Sequence, residues 1–132
     1  MKEKDSDDEE EMPTYRVILV GEYGVGKTSI IKRLTYGNFK EDTTPASATY
    51  AKKIIKLEKF KGKALQFGIW ATVGQKKYRS LTKSILIEAT AAIIVYDITK
   101  KHSFEEIKNF WYNHVIECSP EEVNMFFFFF NH

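Results

Sequence analysis

The strongest constraint on the fold of this chain is an octapeptide that fits the pattern of one kind of loop. Residues 21–28 read Gly-Glu-Tyr-Gly-Val-Gly-Lys-Thr and fill the phosphate-binding pattern G-x-x-x-x-G-K-[ST] at every fixed position. Such a loop needs glycines where its backbone turns tightly, so that its N–H groups point inward at phosphate oxygens. The pattern therefore predicts a phosphate-binding loop between a strand and a helix.

The neighbouring sequence supplies both of these elements. Tyr15–Val20 is a short apolar run rich in β-branched residues, which is typical of a strand. Ile30, Ile31 and Leu34 recur at helical spacing, and Gly37-Asn38 is typical of a helix end. The order strand, loop, helix is the one that the motif requires.

Each residue type in the loop indicates a chemical role. Lys27 is predicted to reach the β- and γ-phosphates, and the Thr28 hydroxyl to bind Mg²⁺. The helix that starts at Thr28 turns its positive dipole end toward the same anion. The predicted nucleotide-binding residues of the loop are Gly21, Glu22, Tyr23, Gly24, Val25, Gly26, Lys27, Thr28 and Ser29, with Thr28 as the metal ligand.

Length and charge set the organisation of the chain. Its 132 residues suit a single domain, over residues 14–132, after an acidic tail at residues 1–13 that is predicted to be disordered. Without that tail the chain is basic, which suits an anionic ligand, while no stripe of basic and aromatic residues indicates nucleic acid. The sequence contains neither a signal peptide nor a run long enough to span a membrane, which predicts a cytoplasmic protein. Cys118 is the one cysteine and is expected to be a free thiol.

The rest of the chain alternates strands and helices. A polar loop is predicted over residues 39–49, and then two strands, Tyr50–Leu57 and Lys63–Trp70, joined as an antiparallel hairpin at Phe60-Lys61-Gly62. A helix is expected from Leu81 to about Ile87. The continuous apolar run Ala91–Tyr96 predicts a strand buried on both faces.

One more helix and one more strand complete this pattern. Ser103 and Glu106 have the spacing of a capping box, which places the start of the helix at Ser103. Ser119-Pro120 ends the helix, and Val123–Phe130 is a candidate last strand. The predicted buried face of the helix consists of Phe104, Ile107, Trp111, Val115 and Cys118. Alternating strands and helices favour a parallel α/β sheet with its ligand at the carboxyl ends of the strands.

Three segments in order, Gly21–Thr28, Trp70–Tyr78 and Val95–Thr99, resemble those of the Ras-superfamily small GTPases, most closely the Rab branch. The resemblance implies a P-loop NTPase three-layer fold, with a mostly parallel sheet and one antiparallel hairpin. It also implies that GDP or GTP and Mg²⁺ bind and that the chain is a molecular switch in vesicle trafficking. In such a protein Gly74 contacts the nucleotide and Gln75 is the catalytic residue that orients water. Effectors and regulators would bind at the switch regions, through Tyr50, Trp70 and Tyr78.

The chain departs from the family at several positions. Where the family reads W-D-T-A-G-Q-E, Ala71 replaces the acid that holds Mg²⁺ through its water shell, and Lys76 replaces the final Glu. Tyr23 stands where relatives have a small residue. Thr44, Ser47 and Thr49 all remain candidates for the hydroxyl that senses the γ-phosphate. These departures from the family pattern therefore predict weak or lost hydrolysis of GTP.

The C-terminal residues depart further. The family continues into N-K-x-D, a last strand, two helices and prenylated cysteines that attach it to endomembranes. Here five phenylalanines, Phe126–Phe130, precede Asn131-His132. We expect an incomplete small GTPase domain that lacks the C-terminal strand and helices and has no membrane anchor. Two alternatives to a working switch stay open: a pseudo-GTPase that serves as a binding module, and a non-functional truncated fragment.

Overall fold

A five-stranded sheet forms the centre of the computed structural model, which describes residues 13–36, 48–57 and 63–131. The strands are β1 (Thr14–Val20), β2 (Ala48–Leu57), β3 (Lys63–Thr72), β4 (Ala91–Asp97) and β5 (Asn124–Phe130). The helices are α1 (Lys27–Tyr36), α2 (Arg79–Leu86), α3 (Lys101–Glu106) and α4 (Tyr112–Cys118). A 3₁₀ turn at Lys76–Tyr78 leads into α2, and a π turn at Ile107–Trp111 joins α3 to α4.

The sheet is mostly parallel, as the sequence predicts. Its strand order is β2-β3-β1-β4-β5, and the pairs β3-β1, β1-β4 and β4-β5 are parallel. Strand β2 is antiparallel to β3, with Tyr50 opposite Trp70. Because β1 and β4 are parallel neighbours, their carboxyl ends lie side by side at the same end of the sheet. The loop that follows β1 therefore begins beside the end of β4.

Apolar side chains leave both faces of the sheet, since successive residues of a strand point to opposite sides. Ile18 and Val20 of β1 enter one core cluster, and Leu19 between them enters the other. The first cluster lies against α2, the π turn and α4 and contains Ile18, Val20, Leu86, Ala89, Ala92, Ile94, Trp111 and Val115. The second lies against α1 and contains Leu19, Val25, Ile31, Ala51, Ile69, Ala71 and Val95. Helices on both faces give the expected three layers.

The predicted elements agree with the structure to within two residues at most ends. Helix α1 begins at Lys27, one residue before the predicted start, and ends at Tyr36, directly before Gly37. The predicted hairpin strands are present as β2 and β3. The acidic tail over residues 1–12, the loop over residues 39–47 and the turn Phe60-Lys61-Gly62 lie outside the described residues.

Two predictions for the helix after β4 are wrong. Ser103 does not precede the helix but lies inside α3, because its hydroxyl bonds the end of β4. The hydroxyl oxygen accepts from the Asp97 N–H at 3.0 Å, and its single proton is shared between the Lys100 and Asp97 carbonyls. Glu106 bonds the side chain of Arg79 rather than the helix N-terminus. Phe104 is exposed instead of buried, and its ring rests on Tyr96 at the surface, with 5.3 Å between the centroids.

Cys118 is a free, half-buried thiol, as predicted. Burial raises its pKa, so the thiol is the dominant form near neutral pH. None of the helices in the described residues combines the length and the apolar character that a membrane crossing requires.

Candidate functional site

The phosphate loop (Gly21–Thr28) has a backbone that only glycine adopts easily at three of its positions. The φ angles of Gly21, Gly24 and Gly26 are 144°, 82° and 112°. A Cβ on Gly21 would lie 2.3 Å from the Val95 carbonyl oxygen of β4. The loop therefore turns immediately beside the neighbouring strand. It is a backbone cradle of the type that presents N–H groups to an anion.

Lys27 is the buried charge of this loop. Its side chain lies inside the turn, and the residue is 5% exposed. The ammonium donates hydrogen bonds to the carbonyls of Gly21, at 2.8 Å, and Glu22, at 2.7 Å. Burial lowers the pKa of Lys27 to about 7, although the nearby Glu22 carboxylate raises it somewhat. A group with a pKa near neutrality in such a loop can change its charge when an anion binds.

The side chains of Glu22, Tyr23 and Val25 have different surroundings. Val25 is fully buried in the core cluster beside α1, and Tyr23 is 57% exposed at the surface. Glu22 points toward α2 and the π turn, as described below. The side chains of Glu22 and Val25 are therefore engaged with other parts of the fold. Thr28 and Ser29 lie half-buried in the first turn of α1, where the helix dipole favours an anion.

The segment after β3 packs directly on the phosphate loop. Gly74 is buried, and a Cβ there would lie 2.2 Å from the Gly21 oxygen and 2.5 Å from the Tyr23 nitrogen. Gln75 follows it and is half-buried, and its carbonyl accepts a hydrogen bond from the Tyr78 N–H. The structure thus brings Gly74 against the loop, and Gln75 is the next residue in the chain.

Ala71 occupies an apolar position. It is 2% exposed and belongs to the core cluster that also contains Leu19, Val25 and Ile31. The next residue, Thr72, donates its hydroxyl proton to the Leu19 carbonyl at 3.0 Å. Of the three candidates for the γ-phosphate-sensing hydroxyl, Thr49 lies on β2, whereas Thr44 and Ser47 lie outside the described residues.

The three predicted surface aromatics differ in exposure. Tyr50 is 46% exposed and packs on the half-buried Trp70, with 4.7 Å between the ring centroids. The Arg16 guanidinium lies over the Trp70 ring at 5.6 Å. Tyr78 is half-buried, with the Lys77 ammonium 5.2 Å from its ring centroid. Tyr50 and Trp70 thus form an aromatic patch beside the antiparallel strand pair.

The sequence does not predict the hydrogen-bond network that surrounds the Glu22 carboxylate. Oε2 of Glu22 accepts hydrogen bonds from Arg79, at 2.8 Å, and from the Trp111 indole, at 3.1 Å. Glu106 also bonds Arg79, at 3.2 Å. Only the fold joins residues so far apart in sequence. The pattern of the loop leaves its second position open, so no motif indicates that Glu22 has a specific partner.

Comparison with known proteins finds similarity to Ras-related and Rab-related proteins. Residues 16–128 match the model of the Ras family. Ras-related protein RGP2 of Oryza sativa subsp. japonica is 36% identical over 94 residues, which cover 70% of this chain and 42% of that protein. RabC of Dictyostelium discoideum is 38% identical over 101 residues, or 76% of this chain and 51% of that one. A probable Rab-related GTPase of Acanthamoeba polyphaga mimivirus is 33% identical over 106 residues, or 79% and 48%. The chain spans about half the length of the curated relatives it matches.

Proposed function

This chain belongs to the Ras family of small GTPases, in its Rab branch, and we propose that it binds GDP or GTP together with Mg²⁺ and acts as a molecular switch in vesicle trafficking. The observation that carries the proposal is the backbone of the phosphate loop. Three of its glycines have positive φ angles, and the buried Lys27 ammonium bonds two of its carbonyls. Such a backbone, followed by the N-terminus of a ten-residue helix, suits a polyphosphate.

The residues of the loop divide the work of holding a nucleotide. The loop amides and the Lys27 ammonium would bind the phosphate oxygens, which are stronger acceptors than the two carbonyls that this ammonium bonds in the structure. Gly74 lies against Gly21 and Tyr23, so its backbone borders the same cradle. Glycine at these two positions lets the backbone segments approach this closely.

Magnesium would depend on fewer protein groups here than in the family pattern. Thr28 offers a hydroxyl at the start of α1, and Mg²⁺ accepts one or two protein oxygens plus phosphates and water. Ala71 offers no oxygen and packs among apolar side chains. When bound, the ion would neutralise charge on the phosphates. Thr28 is therefore the protein ligand that we assign to it.

We expect hydrolysis to be weak. Gln75 follows Gly74, which packs on the phosphate loop, and would orient a water molecule. Orientation alone does not stabilise the charge that develops on the γ-phosphate. The position that carries an acid in the family is Ala71, which cannot support the metal. This observation also favours a second candidate function, a pseudo-GTPase that binds partners without useful turnover.

Partner binding would use the aromatic residues beside the switch segments. Tyr50 and Trp70 form one patch, and Tyr78 lies at the end of the turn that leads into α2. Partly exposed aromatic side chains are favoured anchors of protein interfaces. We propose that Rab-type effectors and regulators contact this surface in the cytoplasm, at the face of a membrane compartment.

Binding of a fluorescent GDP analogue tests the proposal. Lys27→Ala removes the buried charge of the loop, so we expect it to abolish measurable binding, while Thr28→Ala should weaken the dependence on Mg²⁺. Lys63→Ala, which removes an exposed lysine from the start of β3, is the matched control and should bind like the parent. Equal affinity of Lys27→Ala and the parent would refute a role for the loop. Hydrolysis by the parent at the rate of intact relatives would refute the second candidate function.

A further inference from the structure

The Glu22 carboxylate connects three separate parts of the chain. It belongs to the phosphate loop, and its Oε2 accepts from Arg79, at the start of α2, and from Trp111, in the π turn. The side chains of Glu22, Arg79 and Glu106 are only 16, 15 and 12% exposed. Charge-assisted hydrogen bonds at such low exposure are strong, and removal of one partner leaves a charge without compensation.

The Arg79 guanidinium contacts two carboxylates and two aromatic rings. It bonds the carboxylates of Glu22 and Glu106 and lies 3.7 Å from the Phe110 ring centroid and 5.0 Å from that of Trp111. Burial alone would raise the pKa of Glu106, but hydrogen bonds from Asn109 and Arg79 outweigh that effect and hold the pKa below its usual value. Glu106 therefore stays ionised as the second anchor of the guanidinium.

The π turn explains how one helix supplies both Glu106 and Trp111. The Tyr112 N–H bonds the Ile107 carbonyl, five residues back. In a regular α-helix, residues five apart point in different directions, whereas an i→i+5 turn brings them to the same side. With the extra residue of the π turn, the Glu106 carboxylate bonds Arg79 while the Trp111 indole bonds Glu22, the other partner of Arg79.

The same cluster also resembles a cation site. Ligand atoms of Glu22, His102 and Glu106 lie within 4.8 Å of one another. Arg79, however, bonds both of these carboxylates and so already supplies the positive charge between them. The two carboxylates are therefore charge-paired without a metal ion.

Glu22 links this network to the phosphate loop through its own backbone. Its carbonyl accepts one of the two hydrogen bonds of the Lys27 ammonium, at 2.7 Å. We propose that Arg79 and Trp111 are positioning residues, which act through Glu22 to hold the loop backbone in its phosphate-binding shape. This inference rests on the proposed function for its ligand. It adds that side chains outside the loop motif set the affinity of the loop.

Two measurements on the full chain test this inference. The first is hydrogen exchange of the loop amides over residues 21–28 without nucleotide. We expect faster exchange in Arg79→Met and in Trp111→Phe, which keeps an aromatic ring but removes the N–H donor. The second is affinity for the fluorescent GDP analogue, which we expect to fall by about tenfold or more, the scale typical of outer-shell partners of a binding group. Arg79→Lys keeps the charge and should recover part of the loss.

Arg16→Met is the matched control. Arg16 also lies over a tryptophan ring and also pairs with a glutamate, Glu88. The Glu88 side chain is 76% exposed, and Arg16 lies near the start of β1, whereas the loop follows the end of that strand. This variant should leave both measurements unchanged. Unaltered loop exchange in folded Arg79→Met and Trp111→Phe would overturn the inference, whether or not GDP binds. If the parent chain fails to bind GDP while the two variants show the expected faster exchange, the proposed function is refuted and the positioning role is supported.

Discussion

At the scale of single residues, Lys27 and Ala71 decide most of the chemistry of this site. Lys27 is a buried base whose pKa of about 7 allows it to exist in either charge state near neutrality. Ala71 is a buried small residue at a position where the family has an acid. One residue therefore brings a titratable charge to the phosphate loop, and the other offers no side-chain oxygen as a ligand.

We expect binding of phosphate groups to be coupled to proton uptake by Lys27. An anion beside the ammonium favours its charged form and raises the pKa from about 7, so a proton is taken up near pH 8. The affinity for GDP should therefore be highest below about pH 7 and decrease as the pH rises. Calorimetry in two buffers of different ionisation enthalpy measures the uptake directly. Identical apparent enthalpies near pH 8 would contradict it.

Ala71→Asp should exchange stability for metal dependence. The new carboxylate enters a cluster of apolar side chains, so we expect the free energy of unfolding to fall by about 2–4 kcal/mol. With GDP present, Mg²⁺ should restore part of this loss and lengthen nucleotide retention, because a carboxylate supports the water shell of the ion. Ala71→Asn has nearly the same shape and should gain little from Mg²⁺. Thermal unfolding with and without Mg²⁺ distinguishes the two, and equal gains would argue against a metal role at this position.

At the scale of elements, the phosphate loop is held first by close contacts between backbones. Gly21 approaches β4, and Gly74 approaches Gly21 and Tyr23. Side-chain contacts then connect the loop to α2 and the π turn. Adjacent elements can therefore influence the loop without contributing a residue to its motif.

The glycines of the loop should differ in their sensitivity to alanine. Gly21→Ala places a Cβ 2.3 Å from the Val95 oxygen, so strand and loop must separate, and we expect a loss of about 3 kcal/mol or more. Gly24→Ala places its Cβ 3.5 Å from the flexible end of Lys100 and adds mainly the strain of a positive φ, about 1 kcal/mol. Denaturant unfolding of both variants provides the comparison. A larger loss for Gly24→Ala would contradict the close approach of loop and β4.

At the scale of the whole molecule, one edge of the described sheet is apolar. Strand β5 ends the strand order, and Phe126–Phe129 are each 44–55% exposed. An edge strand without charges is open to pairing with another chain.

We therefore expect this chain to self-associate through β5 as its concentration rises. Phe127→Lys places a charge on that edge and should shift the population toward monomer in sedimentation measurements. Tyr112→Lys changes an equally exposed aromatic residue on α4 and serves as the control, with little effect expected. A monomeric parent at all concentrations would refute this expectation.

The sequence predicts the framework of this molecule better than its connections. The loop motif and the apolar runs predict the succession of strands and helices along the chain because they are local patterns. The predicted role of Ser103 as a helix cap failed because the end of β4 competes for its hydroxyl. The Glu22 network is equally invisible in sequence, since its members meet only after the sheet and the π turn have formed.

The hydrogen bond between Trp111 and Glu22 also gives the molecule an optical probe of its own. The fully buried indole contacts a carboxylate of the phosphate loop, and a nearby charge shifts the emission of an indole. Any displacement of Glu22 should therefore alter the fluorescence of Trp111, and Trp70→Phe would remove the second emitter. Movements of the loop could then be followed in time without a label, on the unmodified ligand.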